Sequence, residues 1–131
     1  MKNINHEKQF IDFLTQSPSP YHAVANVKER LVKKGFSELL ESEKWKLRKG
    51  GRYFVTKNDS ALICFTLGNK SPANTGFKIF GAHTDSPGLK IKPNPEKELS
   101  DYVSLGVEVY GGPLLPTWFD RDLSMAGRVA Y

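Results

Sequence analysis

Apolar residues recur every third or fourth position in the first third of the chain. Beyond residue 50 they gather into short alternating or continuous runs, so helices are expected first and strands after them. Phe10, Phe13 and Leu14 share one face at i, i+3, i+4 spacing, which predicts an amphipathic helix over residues 6 to 16. Ser17-Pro18-Ser19-Pro20 breaks it. Ser19 suits an N-cap and Pro20 the first helical position, so a second helix is expected from there to Lys34. Its apolar face is Tyr21, Val24, Val27 and Leu31, and Gly35 is a natural stop. One more helical turn is expected from Glu41 to Trp45. A hairpin follows Gly50-Gly51, with Arg52 to Thr56 and Ser60 to Leu67 flanking the turn Lys57-Asn58-Asp59. Further strands are expected at 77–82, 89–92, 103–110 and 125–131. Polar loops are expected at Gly68 to Gly76 and at Asn94 to Asp101, the second of them mobile. Two helices followed by a mostly β segment give an α/β or α+β class.

Composition narrows the class. The chain has 131 residues, 39% hydrophobic and 25% charged, which is enough for one domain with a core and excludes a disordered or membrane chain. No run approaches the roughly 18 apolar residues of a membrane span. Charges in the first ten residues stand where a signal peptide needs an apolar core. The single cysteine, Cys64, lies in the apolar run Ala61-Leu62-Ile63-Cys64-Phe65 and is expected to be a buried strand residue. One cysteine makes neither an internal disulfide nor a Cys-based zinc site, and the cytoplasm is the expected location. The net charge of +5 concentrates in Lys28 to Lys34 and in Lys44 to Lys49 with Arg52. No nucleic-acid motif accompanies these charges, so a solvated helix face and a basic loop are expected, with neither nucleic acid nor membrane as partner.

Candidate chemistry sits at Phe80-Gly81-Ala82-His83-Thr84-Asp85-Ser86-Pro87-Gly88. On an extended backbone, residues i and i+2 point to one side, so His83 and Asp85 would share a face at the carboxyl end of the expected 77–82 strand. Imidazole is a good zinc ligand, and a carboxylate beside it can orient a neighbouring group. Alone, a His-x-Asp is as compatible with a surface turn. A second element is Thr117-Trp118-Phe119-Asp120-Arg121-Asp122-Leu123, where two carboxylates flank an arginine. Asp120 could bridge two metal ions with Arg121 and Asp122 as a supporting charge pair, or the three could form an ordinary surface pair.

Together, His83-Thr84-Asp85-Ser86-Pro87 and Trp118-Phe119-Asp120-Arg121-Asp122-Leu123 resemble the aspartyl aminopeptidase (vacuolar aminopeptidase I) family of zinc metallopeptidases. So do Phe10-Ile11-Asp12-Phe13-Leu14, Ser17-Pro18-Ser19-Pro20-Tyr21-His22-Ala23, Gly106-Val107-Glu108-Val109-Tyr110-Gly111-Gly112 and Ala126-Gly127-Arg128-Val129, all in the family's order. The resemblance implies the amino-terminal part of a zinc-peptidase α/β sandwich over residues 1–131, ending near the start of the family's dimerisation insertion. It implies that His83 is a ligand of one of two zinc ions and that Asp85 is the catalytic carboxylate orienting the base. It further implies that Asp120 is the carboxylate bridging both zincs, with Asp122 the alternative ligand. The implied reaction is hydrolysis of amino-terminal residues, acidic or neutral, from peptide substrates by a water that two zincs activate. A homo-oligomer, a dodecamer built from dimers, is implied as well.

The family's Glu-Glu pair, a further Asp and a late His lie downstream of the matched segments, and the glutamate that acts as base is among them. Two zincs sharing one Asp and a water need about two more protein ligands each, of which His83 supplies one. His6 and His22, on the helical leader, are poor substitutes. Ala126 to Tyr131 runs in a strand pattern with no turn after it, so the chain reads as a fragment and is expected to be inactive alone. The rival readings are a non-catalytic interaction module presenting the basic patches with Trp118 and Phe119, and the remnant of a truncated enzyme.

Overall fold

The computed structural model describes residues 5–131; the first four residues of the charged amino terminus lie outside the described residues. The chain divides into two units, Met1–Thr84 with Ala126–Tyr131, and Asp85–Met125. Each is described by itself.

In the first unit, helix α1 spans His6–Thr15 and helix α2 spans Pro20–Lys33, close to the boundaries that their caps predict. Asn5 caps α1, its Oδ1 accepting from the Lys8 N–H at 2.8 Å. Ser19 caps α2 with Pro20 in the first turn, which satisfies an orphan donor where proline has none to lose. The Asn26 amide on α2 donates to the Gln16 carbonyl (2.8 Å) and the Ser17 hydroxyl (3.1 Å), fixing the break between the helices. At the far end Gly35 takes φ +78°, and Phe36 and Gly35 donate to the Leu31 and Val32 carbonyls, the paired bonds of a Schellman stop.

The apolar face of α2 is the buried one: Val24 and Ala23 are buried, and Tyr21, Val27 and Leu31 are half-buried. Helix α2 packs against a three-stranded sheet of order β1-β2-β3, formed by Ser37–Glu38, Arg52–Lys57 and Ala61–Thr66. Strand β1 pairs parallel with β2, and β2 antiparallel with β3 in the register Phe54↔Cys64. Central strand β2 carries Phe54, which is 0% exposed, and Tyr53, whose ring lies 5.7 Å from that of Phe65. Trp45 covers Phe65 with ring centroids 6.4 Å apart. Asn58 and Asp59 close the hairpin with φ of 51° and 54°, the left-handed pair of a type I′ turn that these two residue types tolerate. That turn also collects distant segments. Thr84 Oγ1 donates to the Ser60 carbonyl (2.8 Å), and Arg128 reaches the Asn58 carbonyl (3.2 Å) and the Asp59 carboxylate (3.3 Å). The Arg128 guanidinium also lies 4.6 Å from the Tyr21 ring centroid.

The second unit is an antiparallel ribbon of β4 (Gly88–Leu99) and β5 (Tyr102–Tyr110), followed by a 3₁₀ turn at Leu115–Trp118. Its register shifts between Ile91 and Glu96, where Lys92-Pro93-Asn94-Pro95 bulges out of the ladder. The two prolines have no N–H to give that ladder, and Asn94 takes φ 52°. Gly106 stands opposite, where a Cβ would come within 3.3 Å of the Pro95 carbonyl oxygen.

Several expectations are corrected here. Residues 77–82 and 125–131 form no strand, and Phe80 is 98% exposed. Their composition favours strands, but a strand exists only with a partner to receive its N–H and C=O groups. Residues 94–101 are no loop: β4 runs through them by bulging, and only Ser100-Asp101 turn. Glu41 to Trp45 is a turn without helix, held where the Trp45 indole donates to the Leu40 carbonyl at 2.8 Å. Cys64 is exposed, on a strand where every residue is exposed or half-buried. A short helix, α3 at Pro72–Thr75, interrupts the expected loop 68–76.

Candidate functional site

The division between the two units falls inside the His-Thr-Asp motif, after Thr84. His83 lies in the first unit, exposed, on a segment without regular structure that Thr84 pins to the β2–β3 turn. The expected 77–82 strand is absent, so no strand end presents His83. Both residues are engaged in interactions and neither is free.

Asp85 opens the second unit, half-buried. Its Oδ2 accepts a hydrogen bond from the Tyr110 hydroxyl at 2.6 Å, a short, charge-assisted contact. Tyr110 ends β5, in register with Gly88 at the start of β4, so the ladder itself carries the phenol to the residues just after Asp85. Two close approaches hold that end of the ribbon. Gly111, at φ +71°, leaves room for Pro87, whose Cα would be 3.3 Å from an added Cβ; Trp118 packs over Gly88, its ring 3.6 Å from where a Cβ would stand. The Asp85 hydrogen bond, and then its negative charge, raise the Tyr110 phenol above its ordinary value, because the bond needs the proton that ionisation removes.

Tyr110 is the residue that sequence reasoning missed. In the sequence it is a strand residue within a family-like run, and a strand-end tyrosine gives no signal of its partner until the β4–β5 register is known.

Asp120 and Asp122 are both exposed, just beyond the 3₁₀ turn, with Asp120 at φ 56°. That conformation turns the chain sharply after Trp118-Phe119 and suits aspartate better than most residues. Among the described residues, no group of three or more His, Cys, Asp or Glu is gathered to hold a metal ion. A zinc site needs about four donors at bonding distance, so the residues present do not make a complete one.

A family model described as "Aminopeptidase I zinc metalloprotease (M18)" matches residues 13–131, nearly the whole chain. The chain belongs to this family. An M18 relative from Clostridium acetobutylicum, named a probable M18 family aminopeptidase 2, is 56% identical over 131 residues, covering 98% of this chain and 30% of its own length. Among solved structures, one of a complex of Ape4 and Nbr1 matches with TM-score 0.83 and 48% identity, over 87% of this chain and 22% of that one. The S. cerevisiae mApe1 dodecamer matches with TM-score 0.81 and 34% identity, over 90% of this chain and 28% of its own. The M18 chain thus spans about 30% of the length of the curated relatives it matches. The α/β class expected from the sequence agrees with these M18 structures: two helices lead into a mixed and then antiparallel β segment.

Proposed function

We propose that the protein carrying this chain is a zinc-dependent aminopeptidase that hydrolyses amino-terminal residues, acidic or neutral, from peptides. The family match across residues 13–131 carries the reading, since that span includes the whole His83-to-Asp85 motif. In this reading His83 is a ligand of one of two zinc ions. Asp85 orients the base, and its own carboxylate is steadied by the Tyr110 hydroxyl. Asp120 is the candidate bridging carboxylate and Asp122 its alternative; both rest on the resemblance of the Trp118-to-Leu123 run. The relatives are more than three times as long, and the remaining ligands and the glutamate base would come from that further length. Accordingly the 131 residues alone are proposed to be inactive, and no catalytic step is assigned to them. Homo-oligomer formation is proposed by analogy with mApe1, which is described as a dodecamer.

Metal analysis and peptide hydrolysis by the full-length protein test this. His83→Ala should release bound zinc and abolish removal of amino-terminal residues, and aspartyl, glutamyl and leucyl substrates should separate acidic from neutral preference. Asp120→Asn and Asp122→Asn tested separately decide which carboxylate, if either, matters to metal content. A full-length protein that works equally well after His83→Ala and after chelation would overturn the proposal.

A further inference from the structure

The cations of the first unit are not distributed evenly between partners. Its ion pairs include Lys28–Glu38, Lys33–Glu29, Lys57–Glu41 and Arg128–Asp59. Five other basic residues, Lys34, Lys46, Arg48, Lys49 and Arg52, line one cleft of about 670 Å³. No acidic residue lines it, and none of the five forms a salt bridge among the described residues. The walls are fixed, although residues 44–51 form no helix or strand. Gly50 donates to the Leu67 carbonyl and Leu67 to that of Gly51, each at 2.9 Å. The Arg48 N–H donates to the Tyr53 hydroxyl at 2.9 Å, and the Arg52 guanidinium to the Lys34 carbonyl at 3.3 Å. Gly51 must be glycine, since a Cβ there would stand 2.4 Å from the Tyr53 ring.

Five like charges held around one concavity repel each other and attract anions. We propose that this cleft binds an extended acidic peptide segment through several separated carboxylates. The chemistry of the walls selects that class. A single phosphate is usually cradled by free backbone N–H groups, but the Gly50 and Gly51 N–H groups are already bonded, to the Leu67 and Arg48 carbonyls. Single-stranded nucleic acid needs open aromatic faces for base stacking; the aromatic residue of the lining, Tyr53, is buried at 8% exposure. What remains are long, flexible cations spread over Lys34 to Arg52, which suit a ligand whose charges are spaced along a chain.

The test is fluorescence anisotropy of the full-length protein with an amino-terminally acetylated oligo-glutamate peptide. Acetylation keeps the probe from being an aminopeptidase substrate, so the outcome is independent of the proposed activity. Binding should weaken about 3- to 100-fold when Lys46, Arg48 and Lys49 are all changed to Gln, since each exposed ion pair contributes a factor of about 1.5 to 5. It should also fall with added salt. Changing Lys90, Lys92 and Lys97 to Gln removes the same charge elsewhere and should leave binding within twofold, about the scale of unspecific charge effects. Lys46→Arg with Lys49→Arg, which preserves charge, should bind like the unaltered protein and controls for misfolding of the triple variant. Equal loss in the Lys90 set, no loss in the cleft set, or stronger binding of tripolyphosphate or a single-stranded oligonucleotide than of the peptide would each overturn the proposal.

Discussion

Replacing Phe54 with alanine should remove much of the stability of the first unit. Phe54 is 0% exposed on the central strand of its sheet, while among the described residues the other buried apolar ones are Ala23 and Val24 of α2 and neighbouring Tyr53. Four residues are a small core, so each carries a large share. Burying a phenylalanine contributes about 1.5–3 kcal/mol from transfer out of water. The cavity left behind raises the cost of Phe→Ala to about 3–5 kcal/mol. Against a domain stability of about 5–15 kcal/mol, that is about a fifth of the total or more. With a urea slope of about 1–3 kcal/mol per molar, the unfolding midpoint should drop by about 1–5 M. Trp45, stacked on Phe65 of the same sheet, gives a fluorescence signal for this unit. Ile63 is the internal comparison: it lies on β3 at 67% exposure, so Ile63→Ala should cost under about 1 kcal/mol. A Phe54→Ala midpoint within about 0.3 M of the parent, or an Ile63→Ala loss equal to that of Phe54→Ala, would refute the placement of the core.

Three smaller predictions follow from local geometry. Ser19→Ala removes the α2 cap, whose bond to the His22 N–H is long at 3.5 Å, and should cost about 0.5–1 kcal/mol in thermal or urea unfolding, while Ser19→Asp should not. Gly51→Ala drives a Cβ into the ring of buried Tyr53 and should cost about 1–3 kcal/mol, whereas Gly68→Ala meets open space and should cost far less. The Tyr110 phenol should titrate above its ordinary value of 10.0 by ultraviolet absorbance, and Asp85→Asn should bring it down. Because the folded-state value is raised, the Tyr110–Asp85 bond contributes stability that is fully present below pH 10.0 and is lost as pH rises through the raised value.

The helical leader and the hairpin were legible because their determinants are local. Ser19-Pro20 and Gly35 bound α2 through orphan backbone groups, and Asn58-Asp59 supply the two left-handed residues of a turn. What failed was pairing. Phe77 to Ala82 has strand composition, yet Ile79 and Phe80 are 86% and 98% exposed and no ladder forms there among the described residues. Composition reports what a strand would bury, and only a partner decides whether it exists. The opposite error occurred at Asn94 to Asp101, which reads as a polar loop. The ribbon absorbs Pro93 and Pro95 in one bulge and resumes pairing at Glu96.

The candidate site shows the same split between local and long-range information. His83-Thr84-Asp85 is a contiguous string and stood out at once, but its supports do not adjoin it in sequence. Tyr110 meets Asp85 from 25 residues away, and Thr84 is held by Ser60 from 24 residues away. Each contact depends on a register that no pattern of residue types fixes in advance. The ligand set is a sharper case. A zinc site takes about four donors, so the two motifs name candidates without closing a coordination shell among the described residues. Asp85 is where the two levels meet: the motif marks it, and the β4–β5 ladder brings it the phenol that fixes its carboxylate. A carboxylate that accepts from a phenol at the end of β5 is steadied within the second unit by the register of the ribbon.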